Sequence, residues 1–134
     1  MTRINIVPVE ELFDQHLIAE YREITMVSAA LKRTLNSKNG LDKTKINKTY
    51  TLNQGHVYFF YDKGKYLDKR YKKIIKEMER RGFHPNPKRK LPINIFIANN
   101  LYKDWAPTVE DFKIIRERIK SKVKEKPSWY RKTI

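Results

Sequence analysis

Apolar side chains recur at the spacing of an α-helix in three segments of this 134-residue chain, and this periodicity limits the possible folds most strongly. The segments run from about residue 9 to 35, from 65 to 81 and from 109 to 124. In each segment, the apolar residues fall on one face of a helix with 3.6 residues per turn. The three sets are Phe13, Leu17, Ile24, Leu31 and Leu35; Leu67, Tyr71, Ile74 and Met78; and Phe112, Ile115, Ile119 and Val123. The pattern predicts three amphipathic helices that share one core.

Turn and capping residues lie where these helices should begin and end. Gly82 suits the left-handed position that follows a helix, and Pro85 prevents the second helix from continuing. Thr108 is a suitable N-cap for the third helix, with Asp111 three residues later. Pro127 ends that helix, because proline cannot donate a backbone hydrogen bond.

Residues 91–101 form the ambiguous stretch of the chain. Their short apolar run fits either a strand or one helical turn, but no partner strand is evident, so we predict helix or coil. The predicted fold class is therefore all-α. We expect a compact single domain over residues 1–134, built from three main helices with irregular connections.

The positive charge is concentrated in two separate segments. The chain has 30 Lys and Arg against 15 Asp and Glu, a formal net charge of +15. Residues 63–90 are net +9 and residues 113–134 are net +7, whereas residues 1–62 are net +1 and residues 91–112 are net −2. Solvated helix faces are one explanation, but a surface that follows a phosphate backbone accounts for the pattern better. We therefore expect a polyanionic partner and binding that weakens steeply as salt rises.

The absence of cysteine excludes disulfide scaffolds, cysteine-ligated metals and thiol nucleophiles. No apolar run is long enough for a membrane span or a signal peptide. We expect a soluble intracellular protein, cytoplasmic or nucleoid-associated and not secreted.

Two carboxylates of the first helix lie on or beside its apolar face. Glu20 falls inside the apolar arc, Glu23 and His16 fall at its edges, and Arg22 falls on the opposite side. Apolar surroundings raise the pKa of a carboxyl group unless a cation or a hydrogen bond compensates. For Glu20 we favour a buried ion pair with a Lys or Arg from elsewhere in the chain. Glu23 faces the basic surface and is the better catalytic candidate.

The histidines do not form a metal-binding pattern. His16, His56 and His84 lack the i, i+4 pairing of a helical metal site, and the four glycines do not cluster into a phosphate-binding loop. A lone histidine at a helix edge, such as His16, is more often a structural residue than a ligand. We therefore expect no metal and no other cofactor.

The start of the chain offers a nucleophile. Thr2 is a small residue of the kind that normally lets methionine aminopeptidase remove Met1, which leaves a free α-amine. Such an amine has a pKa of about 7.7–8.0, against about 10.4 for lysine, so roughly one in ten is unprotonated at neutral pH. It can form an imine without being buried. Arg3 and a nearby carboxylate strengthen this otherwise weak signal.

Several short blocks occur in an order and spacing typical of one known family. They are Met1-Thr2-Arg3-Ile4-Asn5, Gln15-His16-Leu17, Ala19-Glu20-Tyr21-Arg22-Glu23, Gly55-His56-Val57, Phe59-Phe60-Tyr61-Asp62-Lys63, Arg81-Gly82-Phe83 and Pro127-Ser128-Trp129-Tyr130. Together they resemble the phage-type pyrimidine-dimer DNA glycosylases, also called endonuclease V. The resemblance covers the whole chain.

The resemblance implies a compact three-helix DNA repair enzyme that acts on damaged double-stranded DNA as a monomer, without a membrane. It implies cleavage of the glycosidic bond at the 5′ base of a cyclobutane dimer, followed by β-elimination at the abasic site. The Thr2 α-amine would attack C1′ and form an imine, and Glu23 would stabilise the cationic intermediate and assist proton transfer. The residues that it implies for DNA binding are Arg3, Gln15, His16, Arg22, Arg118, Lys122, Trp129 and Tyr130.

Met26 departs from the family pattern, since members often carry arginine three residues after the catalytic glutamate. Arg33 lies on the same helix face but two turns away. The departure bears on lesion preference more than on the chemistry. Two other interpretations stay open: a non-enzymatic basic nucleic-acid-binding protein, and a glycosylase of the same chemistry for another lesion, such as an oxidised purine.

Overall fold

The computed structural model describes residues 2–134, which form helices joined by irregular segments. Its long helices are α1 (Asp14–Leu35), α3 (Gly64–Arg80) and α5 (Val109–Glu125), and its short ones are α2 (His56–Phe59) and α4 (Asn94–Ala98). Single 3₁₀ turns occur at Val9–Glu11, Lys43–Lys45 and Phe60–Asp62. Residues 2–134 form no β-strand, and an isolated bridge pairs Lys63 with Tyr102. The all-α prediction with three main helices is confirmed.

The predicted ends of α3 and α5 agree with the structure to within one residue. Gly82 follows α3 with a left-handed φ of +87°, and the Phe83 amide donates to the Met78 carbonyl across this turn at 2.9 Å. At α5, the Thr108 hydroxyl accepts from the Asp111 amide while the Asp111 carboxylate accepts from the Thr108 amide. This capping box satisfies two amides that the first helical turn leaves without partners.

The predicted start of α1 at residue 9 is wrong by five residues, because the helix begins at Asp14. The turn at Val9–Glu11 is followed by an extended Leu12, and this break turns both Val9 and Leu12 into the core. The Asp14 amide then donates to the carbonyl of Arg131 at 2.6 Å. The partner of the first helical turn thus comes from the C-terminal end of the chain, which no local sequence pattern indicates.

The core forms where the apolar stripes of α1 and α3 pack against each other. Leu17, Ile24 and Leu31 of α1 and Leu67 and Ile74 of α3 have no exposed side-chain surface. At roughly 25 cal/mol per Å² of apolar surface, such burial is the main favourable term in folding. None of the helices within residues 2–134 is long and apolar enough to cross a membrane.

A buried ion pair joins α1 to α3 inside this core. The Arg70 guanidinium donates to both oxygens of Glu20, at 2.7 and 3.1 Å, and also to the Val7 carbonyl. Glu20 and Arg70 are 1% and 5% exposed, so neither charge has water to compensate it. The predicted ion pair of Glu20 is confirmed, and its partner is Arg70.

A second buried arginine connects the end of α3 to the start of α1. Arg81 donates to the carboxylates of Glu77 at 2.7 Å and Asp14 at 3.0 Å, and to the Val9 carbonyl at 3.2 Å. Asp14 also accepts from the amide and hydroxyl of Thr133. The C-terminal segment, residues 126–134, is thereby attached to the cluster of Arg81, Glu77 and Asp14.

Candidate active site

The N-terminal segment comprises residues 2–8, before the first helical turn. Three of its successive backbone amides donate to buried or half-buried side chains. The bonds run from Arg3 to Glu23 Oε1 at 2.8 Å, from Ile4 to His56 Nε2 at 2.8 Å and from Asn5 to Glu20 Oε1 at 3.0 Å. The acceptors belong to α1 and α2, so the segment is held against two helices at once. Because the chain is fixed from Arg3 onward, Thr2 must lie within one peptide unit of the Glu23 carboxylate.

His56 is a residue whose role the sequence did not reveal. Its ring is buried, and Nδ1 lies 2.8 Å from the Thr51 carbonyl, so Nδ1 carries the proton and Nε2 accepts from Ile4. Burial lowers the pKa of His56 to about 4, which keeps the ring neutral. The Tyr50 hydroxyl adds a hydrogen bond to the Ile4 carbonyl at 2.8 Å. His56 and Tyr50 therefore position the segment that leads to Thr2.

The Glu23 carboxylate is half-buried at the edge between the core and the basic surface, as the helical wheel predicted. Burial raises the pKa of Glu23 above its ordinary value, and the hydrogen bond from the Arg3 amide opposes part of this shift. Arg118 also acts on Glu23 and lowers its pKa. A carboxyl group with a raised pKa is suited to exchange protons closer to neutral pH.

Eight of the ten predicted site residues line one cleft of about 200 Å³. It lies between the first half of α1, the middle of α5 and the C-terminal segment. The eight are Arg3, Gln15, His16, Glu23, Arg118, Lys122, Trp129 and Tyr130. Three of them are cations and one is a carboxylate. Glu20 also lines the cleft, but its charge is paired with Arg70, so the cleft favours an anionic ligand. Within residues 2–134, no group of His, Cys, Asp and Glu side chains is arranged to hold a metal ion.

The other two predicted residues lie beside this cleft. Thr2 lines a neighbouring cleft of about 410 Å³ together with Met26 and Arg33, and its hydroxyl contacts the Met26 sulfur at 3.7 Å. Arg22 is exposed on α1, next in sequence to Glu23. Thr2 is thus at the border of two clefts, with Glu23 in one and Met26 in the other.

Two buried polar atoms of the first cleft have no hydrogen-bond partner among residues 2–134. They are Nδ1 of His16 and Oδ1 of Asn5. A buried polar group without a partner costs about 1–3 kcal/mol, so such atoms point to a ligand or water that satisfies them. Burial, reinforced by Arg118, lowers the pKa of His16 and favours its neutral form. His16 is therefore not the satisfied structural histidine that its position on the helix suggested, and Asn5 is a cleft residue that the sequence did not indicate.

The C-terminal segment is fixed onto α1 by Gln15. The Gln15 side chain donates to the Trp129 carbonyl at 2.6 Å and accepts from the Arg131 amide at 3.0 Å. The Tyr130 ring stacks on His16 at a centroid distance of 4.8 Å, while Trp129 is 55% exposed. The Tyr130 ring therefore closes the cleft, and the Trp129 ring faces solvent at its rim.

Cations, an exposed aromatic ring and two desolvated carboxylates, Glu20 and Glu23, in a single cleft are typical of an enzyme that acts on a nucleic acid. Comparison with protein-family models matches residues 1–91 to the family described as pyrimidine dimer DNA glycosylase. The chain belongs to this family, so it is a DNA repair glycosylase and its substrate is DNA. The matched region includes Thr2, Arg3, Arg22 and Glu23 but ends before α5. Arg118 and Lys122 lie outside it, and the fold places them in the same cleft.

Proposed function

We propose that this protein excises cyclobutane pyrimidine dimers from double-stranded DNA and then cleaves the backbone at the abasic site, with the α-amine of Thr2 as nucleophile. The observation that carries the proposal is the 2.8 Å hydrogen bond from the Arg3 amide to Glu23 Oε1. It holds the residue that would bear the amine beside the carboxylate that would balance the developing positive charge. Removal of Met1 exposes that amine.

In the first reaction, the Thr2 nitrogen forms a bond to C1′ while the bond from C1′ to the base breaks. The electron pair leaves with the base, which takes up a proton. The bond between C1′ and the ring oxygen then opens, and a protonated imine forms between C1′ and the Thr2 nitrogen. The Glu23 carboxylate stabilises this cation electrostatically and shuttles the protons.

In the second reaction, the imine makes the C2′ proton acidic. Removal of this proton leaves an electron pair that forms the C2′–C3′ double bond, and the C3′–O bond breaks with release of the phosphate. Water then hydrolyses the imine and returns the free amine. The raised pKa of Glu23 suits it to accept and return protons in this sequence.

The cleft residues hold the DNA in this proposal. Arg3, Arg118 and Lys122 in the cleft and Arg22 beside it contact phosphates. Gln15 fixes the segment that carries the aromatic rings. The reacting sugar lies inside a duplex, so the DNA must bend or a nucleotide must leave the stack. Trp129 and Tyr130 stabilise the distorted DNA. Nδ1 of His16, which has no hydrogen-bond partner among residues 2–134, donates to it or accepts from it. One copy of the chain contains all these residues, so we propose that it acts as a monomer.

A second candidate function is the same chemistry on another lesion. Met26, which is 49% exposed beside Thr2, favours it because arginine often occupies this position in the family. Methionine offers an adaptable apolar contact where arginine offers charge. Competing duplexes, one with a thymine dimer and one with an oxidised purine, separate the two candidates by their rates of nicking.

An N-terminal extension tests the nucleophile. A protein with two residues inserted before Thr2 should lose nicking at dimers and abasic sites, while its affinity for undamaged duplex changes by less than about threefold. Thr2→Ala is the matched control, since alanine also permits removal of Met1 and keeps the α-amine in place; mass spectrometry verifies each terminus. Unchanged nicking by the extended protein would assign the chemistry to a lysine and overturn the Thr2 proposal.

A further inference from the structure

The outer face of α3 carries positive charge that the candidate active site does not use. Six cations lie on it within an arc of about 100°, given 3.6 residues per turn. All six are exposed: Lys65, Lys69, Lys72, Lys73, Lys76 and Arg80. The opposite face of the helix contains the buried residues Leu67, Arg70 and Ile74. The α3 outer face therefore accounts for much of the basic segment at residues 63–90.

Half of these cations form no ion pair with the residues that the structure describes. Three of the cations form ion pairs: Lys69 with Asp104 at 2.5 Å, Lys72 with Asp68 at 3.5 Å and Arg80 with Glu77 at 2.6 Å. The other three, Lys65, Lys73 and Lys76, have no carboxylate within 4.0 Å among residues 2–134. Like charges on one helix face repel each other, and an anionic partner would relieve that repulsion.

The α3 outer face borders a cleft of about 810 Å³ that shares no lining residue with the active-site cleft. Glu20 lines the active-site cleft, whereas its partner Arg70 lines this one. In the same way, Asn5 lines the active-site cleft. The next residue, Ile6, has a left-handed φ of +48° and lines the cleft beside the α3 outer face. The N-terminal segment and the buried ion pair thus lie between the two clefts, and the α3 outer face is not part of the active-site cleft.

We propose that the α3 outer face binds the phosphate backbone of a second DNA segment while the active-site cleft holds the first. From Lys65 to Arg80 the face extends over about 22 Å at 1.5 Å per residue, which matches about six base pairs of duplex. A long DNA substrate continues beyond the active site, so other segments of the same molecule are present at high local concentration. An acidic protein is the competing partner, because the walls of the cleft at Trp105 and Phe112 are apolar.

The number of duplexes bound per protein tests this inference. The probe is a fluorescent 16-base-pair undamaged duplex at low salt, measured by sedimentation. The wild-type protein should bind two duplexes. The triple variant Lys65→Gln, Lys73→Gln, Lys76→Gln should bind the first duplex as before and the second at least about tenfold more weakly, because each lysine contributes about 0.9 to the salt slope.

A second triple variant controls for net charge alone. Lys32→Gln, Lys38→Gln, Lys48→Gln removes the same charge from exposed lysines elsewhere and should still bind two duplexes. Saturation of the wild-type protein at one duplex, or equal loss in both triple variants, would overturn the inference. One duplex together with a poly-glutamate peptide that only the α3 variant fails to bind would also overturn it, in favour of an acidic protein. The inference requires DNA as the substrate but not the Thr2 chemistry, so failure of the extension experiment leaves this result unaffected.

Discussion

The backbone amide of Arg3 lies 2.8 Å from Oε1 of Glu23. The bond joins the N-terminal segment to the carboxylate by a backbone atom, and the side chain of Arg3 lines the cleft. The next two amides bond to His56 and Glu20 in the same way. The N-terminal segment is therefore a fixed part of the site.

Replacement of Glu23 by glutamine should abolish nicking while DNA binding is retained. The amide oxygen of glutamine still accepts from Arg3, so the segment stays in place, but the negative charge opposite the cationic intermediate is gone. Loss of such a proton-transfer group slows reactions by about 10²–10⁴-fold. Single-turnover nicking of a dimer duplex and fluorescence anisotropy measure the two effects. Nicking within tenfold of the wild-type rate would remove Glu23 from the chemistry.

The neighbouring carboxylate should behave in the opposite way. Glu20→Gln leaves the guanidinium of Arg70 buried without its counter-charge. Breaking a buried ion pair in this way lowers the free energy of unfolding by about 3–5 kcal/mol. Glu23→Gln should change that free energy by less than about 1 kcal/mol, since its carboxylate is half-buried and forms no salt bridge among residues 2–134. Urea unfolding of both variants at pH 7 makes the comparison. Equal stability losses would contradict the inference that Glu20 has a structural role and Glu23 a catalytic one.

The protein should lose stability as the pH falls from about 6.5 towards 4. The folded-state pKa of His56 is about 4, below its value in the unfolded chain, so the unfolded state binds the proton first. The stability that His56 contributes is complete above pH 6.5 and decreases by about 2 kcal/mol between pH 7 and 4.5. Urea unfolding at both pH values measures this change.

The variant His56→Gln provides the comparison that isolates this effect. Glutamine can still accept from the Ile4 amide but does not titrate, so its pH dependence should be smaller than that of the wild type by about the same 2 kcal/mol. The raised pKa of Glu23 acts in the opposite direction and is common to both proteins. An identical pH dependence in wild type and variant would mean that His56 is protonated in the folded state.

Removal of one cleft cation should change the salt dependence of binding. Lys122 is exposed and lies 3.9 Å from Glu125, a distance at which an exposed pair contributes little. If Lys122 contacts a phosphate, Lys122→Ala should reduce the slope of log K against log salt by about 0.9 and leave lesion preference unchanged. Lys120→Ala, one exposed lysine on α5 that does not line the cleft, serves as control. A changed lesion preference with an unchanged slope would place Lys122 at the base rather than at the backbone.

Periodic features of the fold were predictable from the sequence. The stripes of α1 and α3 are fixed by helical geometry, and Gly82 and Thr108 end and begin helices through local backbone requirements. The position of Glu20 inside an apolar arc was enough to predict an ion pair. Its partner was not predictable, because Arg70 is 50 residues away and the contact depends on how two helices pack.

Contacts made by irregular segments could not be predicted in the same way. The hydrogen bonds of Gln15 to the C-terminal segment join residues more than 110 positions apart and follow no periodic pattern. The bond from Ile4 to His56 has the same character. Family resemblance indicated most of the cleft residues. Only the three-dimensional arrangement revealed the hydrogen bonds of Gln15, the position of Asn5 and the bond from the Ile4 amide to His56.

Borohydride trapping tests the central claim most directly. The protein is mixed with a duplex that carries one cyclobutane thymine dimer, and with an abasic-site duplex as control, and the reduced adduct is mapped by peptide mass spectrometry. We predict a covalent adduct on both duplexes, attached to the α-nitrogen of Thr2. An adduct on a lysine, or no adduct on either duplex despite tight binding, would contradict the proposal that the fixed N-terminal segment delivers the nucleophile.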